Sequence, residues 1–265
     1  MRWKSHREMV EWILNDPGIQ AERAAALAAD PEHVERERLY AEAAADLLPQ
    51  LQSLIPEFDA HGFQIRHVSD LTQRAIFVKD ASGEVVERRQ IDYRPAIPLL
   101  AQWLPKVTYY PLASDIAHVL SPVAARKYSV PVFLELTRNP PPVDHPQSDW
   151  GMAHWQTQLR ETICSGLAKQ ATPAVADELI DLVRDQSLGD LRVSLIGTGL
   201  PKTKDPRMPE VLMELLSDPS ERIQAAALLA LGKLRHEPAR THLEAVAAAG
   251  GELAPYAKRA LKRFT

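Results

Sequence analysis

The chain has 265 residues, of which 45% are hydrophobic and 25% charged, so it can bury a large core as one extended domain or two small ones. This composition excludes a largely disordered chain. The formal net charge of -4 and the isoelectric point near 6.2 argue against a general nucleic-acid binder, because such proteins have a basic surface.

Charge and cysteine content also bear on the compartment. Residues 1–60 hold six Lys or Arg against twelve Asp or Glu, whereas residues 233–265 hold seven against three. The single Cys164 excludes an internal disulfide and a cysteine zinc site, which fits a reducing compartment. The N-terminal stretch shows no apolar signal core, and no apolar run in the sequence is long enough to cross a membrane. We therefore expect a cytoplasmic protein that does not contact a membrane.

The N-terminal third follows its own pattern. Two helices are predicted, from Arg7 to Leu14 and from Val34 to Leu54, with Asn15-Asp-Pro-Gly as a break between them. Further along, apolar alternation and the turn signal Asp80-Ala-Ser-Gly83 predict a small β-hairpin over about residues 63–90. We expect residues 1–92 to form a helical cap with this β-hairpin as an insertion.

A nine-residue helical window recurs five times from residue 112 onward. Its first, fifth and ninth places are apolar or small in every copy, and these places share one face of a helix. Successive copies start 47, 32, 32 and 30 residues apart, and a second apolar helical pattern precedes each of them. This period fits pairs of helices joined by turns. The copies start at Leu112, Leu159, Leu191, Ile223 and Leu253.

The fourth pair has the most specific pattern. Residues 209–234 contain Leu-Leu-Ser-Asp-Pro-Ser-Glu-Arg-Ile-Gln-Ala-Ala-Ala-Leu-Leu-Ala-Leu-Gly-Lys-Leu, which closely resembles the HEAT-repeat signature. The resemblance extends over residues 94–264 and implies that each helix pair leaves an apolar face that only its neighbours cover. We therefore expect a predominantly α fold in which residues 93–265 form a short HEAT-like α-solenoid of about five helix pairs.

The HEAT resemblance also assigns a role to two arginines. Arg160 and Arg192 occupy the second place of their windows. In HEAT-like arrays, arginines at this place pair with aspartates between the helices, and Asp185 and Asp218 lie at such positions. A structural ion pair is therefore the favoured interpretation of these arginines.

Residues that would support catalysis are sparse. The sequence has no glycine-rich phosphate loop, no nucleophile elbow and no HExxH pattern. Cys164 lies at a core position of its window, and the segment from Asp144 to His154 lacks a His pair at one-turn spacing. We therefore predict no catalytic residue, no metal site and no cofactor.

The long loop within the second pair is the strongest candidate for binding. It begins with Asn139-Pro-Pro-Pro and leads to two tryptophans that flank a histidine, while two tyrosines occupy the corresponding turn of the first pair. Aromatic side chains are enriched at binding hot spots, although tryptophans in such places also serve to anchor a helix or cover a loop. The predicted partner-binding residues are Tyr109, Tyr110, Trp150, His154 and Trp155.

Three functions fit these observations. The first is a non-catalytic protein-binding scaffold or adaptor, which includes a bacterial immunity or antitoxin protein whose acidic end covers a basic toxin surface. The second is a DNA glycosylase for alkylated bases, because some of these enzymes consist of HEAT-like repeats. The third is an accessory or regulatory subunit of another enzyme. The residues that would take the aromatic, carboxylate and basic roles of a glycosylase are Asp149, Trp150, Trp155 and Arg160, without a motif match.

Overall fold

Helices dominate the computed structural model, which describes residues 16–56, 58, 64–72, 76–79, 82, 85–89 and 92–264. The predicted predominantly α class is confirmed at this level. The predicted helix from Arg7 to Leu14 lies outside the described residues. Within the described ranges, no helix is both long enough and apolar enough to span a bilayer.

The N-terminal segment contains three helices, α1 (Pro17–Ala28), α2 (Pro31–Ala43) and α3 (Leu48–Leu54). Helix α1 was not predicted; it begins within Asn15-Asp-Pro-Gly, where Asp16 is in an extended conformation, and the helix predicted before this segment lies outside the described residues. Asp16 is the N-cap and its carboxylate accepts hydrogen bonds from the backbone N–H groups of Gly18 and Ile19. A proline directly after an Asp cap suits the first helical position, where no N–H partner is needed.

The single predicted helix from Val34 to Leu54 is two helices. Residues 44–47 form a turn between α2 and α3. Leu47 and Leu51 are fully buried as expected, whereas Leu54 is 38% exposed. The buried face is therefore shorter than the one expected for a single continuous helix from Val34 to Leu54.

Two strands occupy part of the region predicted as a β-hairpin. β1 (Ile76–Lys79) and β2 (Val85–Arg89) pair antiparallel, with Ile76 opposite Arg89 and an irregularity after Val78. Most of the connecting turn lies outside the described residues, so a closed hairpin is not seen. The first part of the prediction is wrong, because residues 64–72 contain no strand and form a 3-10 helix at Val68–Thr72.

Helices follow each other in pairs through the rest of the chain. Each predicted nine-residue window falls on the second helix of a pair, and each preceding apolar pattern falls on the first. The helices are α4 (Ile97–Trp103), α5 (Tyr110–Leu120), α6 (Arg126–Arg138), α7 (Met152–Gln170), α8 (Ala176–Arg184), α9 (residues 192–203), α10 (Met208–Glu214), α11 (Glu221–Leu234), α12 (Arg240–Ala249) and α13 (Ala254–Leu261).

Helix α9 consists of Arg192–Ser194, a π-helical segment Leu195–Gly199 and a last turn Leu200–Thr203. Glycines at 197 and 199 disfavour a helix at this place. Even so, the wider π-helical turn carries the backbone past both glycines, and the helix ends at Lys204 in the left-handed conformation with φ 54°. Local widening of this kind is how an α-helix accommodates an irregular stretch without breaking.

The second helices form a continuous row. Contacts run from α5 to α7, from α7 to α9, from α9 to α11 and from α11 to α13, and each first helix packs on the second helix of its own pair. The fifth place of the repeated window is buried in every copy, so the predicted register places the same face of each helix in the core. These buried residues are Ile116, Ile163, Leu195, Ala227 and Ala257.

A buried ion pair joins the third and fourth helix pairs. Arg192 donates to both carboxylate oxygens of Asp218 at 2.7 and 3.1 Å, and both side chains are 2% exposed. Burial by itself raises the pKa of Asp218, but the bonds from Arg192 and from the Ser220 N–H lower it below its usual value. The expected pairing of Arg192 with Asp218 is confirmed. Arg160 instead donates to the carbonyl oxygen of Thr137 at 2.9 and 2.6 Å.

Close packing of α11 on α13 gives a test of this arrangement. A Cβ atom added at Gly232 would lie 2.6 Å from the Ala260 Cα. Gly232→Ala is therefore expected to destabilise the protein by about 1–2 kcal/mol in urea unfolding, because the overlap outweighs the gain in helix propensity. Gly197→Ala is the matched control, since no described atom lies within 4 Å of its Cβ position. Equal stability of both variants would contradict the α11–α13 contact.

Candidate functional site

The loop of residues 139–151, between α6 and α7, is fixed by backbone and side-chain hydrogen bonds. The Asp144 N–H donates to the Thr108 carbonyl at 2.8 Å, and the Asp144 carbonyl accepts from the Tyr110 N–H at 2.8 Å. The Gln147 side-chain amide donates to the Glu32 carbonyl of α2 at 3.1 Å. The loop is thus attached both to the start of α5 and to the N-terminal end of α2.

All five predicted partner-binding residues lie in one cluster of aromatic rings. Trp155 is at its centre, with ring centroids 4.5 Å from Tyr110, 4.8 Å from His154 and 5.1 Å from His145. Trp150 stacks on His154 at 4.6 Å and an interplanar angle of 24°, while Tyr109 contacts His145 at 5.9 Å. The Trp155 indole N–H also donates to the Trp150 carbonyl at 3.1 Å. Helix α7 and its preceding loop therefore hold the two tryptophans together.

These aromatic residues differ in their exposure to solvent. Trp150 is 63% exposed, Tyr110, His154 and Trp155 are half-buried, and Tyr109 is only 7% exposed. A partner can therefore reach Trp150 directly. Tyr109 belongs to the floor of the cluster rather than to its surface.

A cleft opens between the loop and α2, with two adjoining cavities of about 760 and 400 Å³. Arg36, His145 and Trp155 line both cavities. The larger cavity extends over Trp150 toward the solvent, and the smaller one extends toward Tyr40 and α5. We call the two together the aromatic cleft.

Carboxylates dominate the charge of the larger cavity. Glu32, Glu35 and Asp149 line it, against the single guanidinium of Arg36. Glu35 is bound to Arg38 at 2.6 Å, whereas Glu32, Arg36 and Asp149 have no ion-pair partner within the described part of the chain. The larger cavity is therefore acidic on balance, and two of its carboxylates are free to bind a cation.

The smaller cavity has a fixed polar wall. The Tyr40 hydroxyl donates to Asp115 at 2.9 Å and accepts from the Val68 N–H at 3.0 Å. Burial and the neighbouring carboxylate of Asp115 raise the pKa of Tyr40 well above its usual value, so this phenol stays protonated. His67 contacts Glu37 of α2 at 3.2 Å. These bonds hold α2 and the 3-10 helix Val68–Thr72 against α5.

Two buried polar atoms beneath the cleft have no hydrogen-bond partner among the described residues. They are the Tyr109 hydroxyl and Nδ1 of His145. Burial raises the pKa of Tyr109, on which the charges of Arg36, Glu37 and Glu35 in α2 also act, and burial with the charge of Arg36 lowers the pKa of His145. His145 is consequently neutral near pH 7 and adds no positive charge to the cleft.

The described residues offer little that would support metal or thiol chemistry. They contain no group of three or more His, Cys, Asp or Glu that is arranged to hold a metal ion. Cys164 is fully buried in α7, and its pKa is raised to about 11, mainly by burial. It therefore behaves as a small core residue, because the thiolate needed for a nucleophile is disfavoured there.

The contribution of α2 to this site was not predicted from the sequence. Arg36 and Tyr40 line the cleft from a helix that ends more than 90 residues before the aromatic loop in the chain. His145 was not among the predicted binding residues, yet its ring lies between Tyr109 and Trp155. The only sequence signal for Tyr40 is its place as a large aromatic residue within an otherwise charged helix.

No protein-family model matches this chain, and no curated protein and no solved structure matches it either.

Proposed function

We propose that this protein is a non-catalytic protein-binding scaffold that holds its partner in the aromatic cleft. In this proposal residues 93–265 form a short HEAT-like solenoid of about five helix pairs, and residues 1–92 cap its first pair. The row of second helices supports the solenoid, and the packing of α2 and the 3-10 helix on α5 supports the cap.

The exposure of Trp150 is the observation that carries the proposal. Trp150 is 63% exposed and offers a partner the face of an indole, one of the largest apolar groups in proteins. Its position is fixed by stacking on His154 and by the bond from Trp155 to its carbonyl. A rigid aromatic group at the mouth of a cleft is the usual form of a binding hot spot.

The charge of the larger cavity supports a partner with a basic surface. Opposite charges accelerate the encounter of two proteins and favour the matching partner over others. A bacterial immunity or antitoxin role, in which the acidic side covers a basic toxin, is the narrower form of this proposal. An accessory subunit of an enzyme with a basic surface would use the same cleft, and the identity of the native partner distinguishes the two.

One observation favours the glycosylase alternative. Asp149, Trp150 and Trp155, which were assigned its carboxylate and aromatic roles, line one cavity. The fourth residue does not join them, because the Arg160 guanidinium is bound to the Thr137 carbonyl. The acidic balance of the cavity also opposes the phosphate contacts that dominate affinity for duplex DNA.

The experiment that tests the proposal is Trp150→Ala in the full-length chain. The partner is first isolated with the wild-type protein from native cells, and its affinity is then measured by titration calorimetry with purified components. We expect the variant to weaken the complex by about 2 kcal/mol or more with an unchanged melting temperature, because Trp150 is exposed and contributes little to the core.

Tyr128→Ala is the matched control, since Tyr128 is an aromatic residue of α6 that is 40% exposed and does not line the cleft. We expect it to leave the affinity unchanged. Equal affinities of the wild type and Trp150→Ala for the native partner would overturn the proposed site. Release of bases from alkylated duplex DNA by the purified protein, lost in Asp149→Asn, would replace the scaffold proposal by the glycosylase.

A further inference from the structure

We infer that the aromatic cleft binds an arginine side chain of the partner, with the guanidinium against the exposed face of Trp150 and between the carboxylates of Glu32 and Asp149. The inference rests on the proposed protein-binding function and specifies the chemistry of the group that the cleft receives. It follows from the charge, the ring faces and the hydrogen-bonding groups of the cleft.

The charge of the side chains that line the larger cavity favours a cation as its ligand. Three carboxylates line it against one guanidinium, and the Arg38 ion pair engages only Glu35. Glu32 and Asp149 lie on opposite walls, on α2 and on the loop, and neither has an ion pair within the described ranges. A cation that enters between these walls gains two charge-assisted contacts.

The ring arrangement favours a flat cation. One face of Trp150 is stacked on His154, which leaves the other face for a ligand, and Trp155 lines the same cavity. A guanidinium is planar and weakly hydrated, so it stacks on an indole face, and the ring quadrupole attracts its charge. The ammonium of lysine is more strongly hydrated and lacks a plane to stack.

One polar atom of a residue that lines the larger cavity matches the hydrogen-bonding capacity of arginine. A guanidinium has five N–H donors and no acceptor. His145 lines the cavity and is neutral because burial lowers its pKa, so its unpartnered Nδ1 accepts a hydrogen bond when the proton is on Nε2.

The test uses the tripeptide acetyl-Gly-Arg-Gly-amide and its citrulline analogue, which has the same shape without the charge. Both are titrated into the full-length protein with ¹⁵N-labelled tryptophan, and the indole signals of Trp150 and Trp155 are assigned with Trp→Phe variants. We expect the arginine peptide to shift both signals at low salt and to bind about tenfold more tightly than the citrulline peptide.

Variants separate this site from non-specific attraction. Glu32→Gln combined with Asp149→Asn is expected to weaken binding of the arginine peptide about tenfold, whereas Glu210→Gln, an exposed carboxylate outside the cleft, leaves it unchanged. Equal binding of the arginine and citrulline peptides overturns the inference. Preferential binding of acetyl-Gly-Glu-Gly-amide also overturns it and assigns the cleft to an anion held by Arg36.

The two proposals fail in different ways. If Trp150→Ala weakens the native complex but the arginine peptide leaves both indole signals unmoved, only the arginine inference is overturned. If Trp150→Ala leaves the native complex unchanged, the proposed function fails whatever the peptide does.

Discussion

Arg192→Met is expected to destabilise the protein by about 3–5 kcal/mol, because Asp218 would be left as a buried charge without its partner. Both side chains are 2% exposed in the wild type, so water does not reach the carboxylate. Arg192 also donates to the carbonyl oxygens of Val183 and Gly189, which lose those bonds in the variant. The free energy of unfolding in urea, measured with the wild type in parallel, gives the difference.

Two further variants serve as controls for the ion pair. Arg192→Met combined with Asp218→Leu removes both charges and should recover part of the loss, because a buried pair is often replaceable by apolar groups. Arg184→Met breaks the exposed pair of Arg184 with Glu214 and should cost at most about 1 kcal/mol. A loss from Arg192→Met no larger than that from Arg184→Met would mean that the pair is not buried.

Leu228→Asp is expected to unfold the C-terminal helix pairs. Leu228 is 1% exposed in α11, the helix that packs on both α9 and α13. A carboxylate without a partner at this place costs several kcal/mol, which is on the order of the stability of a whole domain. The measurement is the helical circular dichroism signal as a function of temperature. We expect the variant to give a lower signal at 25 °C and a broader unfolding transition than the wild type.

Leu229→Asp is the matched control for Leu228→Asp, because Leu229 is the next residue of α11 and is half-buried at the rim of the helix. Its carboxylate reaches solvent, so we expect a clearly smaller loss of melting temperature. Similar melting curves for the two variants would show that the face of α11 assigned to the core is wrong.

The helix positions of the C-terminal part could be predicted from the sequence because the same apolar pattern recurs in five windows. An irregular residue in one window therefore does not hide the pattern. Any one window is ambiguous, but five copies with the same three apolar places fix the buried face. Ile163 and Ala227, at equivalent places, are both fully buried although their side chains differ in size. The aspartate partner of Arg192 was also predicted from its repeat position, but Arg160 at the equivalent place binds the Thr137 carbonyl instead.

The N-terminal part was less predictable because no repetition supports it. Asp16 followed by proline is compatible with a turn and with a helix start, and only the bonds from Gly18 and Ile19 to the Asp16 carboxylate decide for the helix. Similarly, the apolar residues Ile65 and Val68 suit a strand, but both are buried in an irregular segment and a 3-10 helix. Packing against α5, which the sequence does not display, determines their conformation.

The aromatic half of the candidate site was predictable, and the charged half was not. The proline-rich loop and its tryptophans stand out in the sequence, and the structure brings them together with Tyr109 and Tyr110. The opposite wall comes from α2, whose Arg36 and Glu37 look like ordinary exposed residues of a charged helix. Only tertiary packing places that helix beside the loop, because no local pattern encodes the contact between Gln147 and Glu32.

Hydrogen–deuterium exchange of the full-length protein with and without its native partner tests the central claim most directly. We expect slower exchange on binding in two segments, α2 at Pro31–Ala43 and the loop of residues 139–151 with the start of α7. The segment of α12 and α13, remote from the cleft in the row of helices, serves as the internal control and should not change. Protection confined to α12 and α13, with unchanged exchange in α2 and the loop, would contradict partner binding in the aromatic cleft.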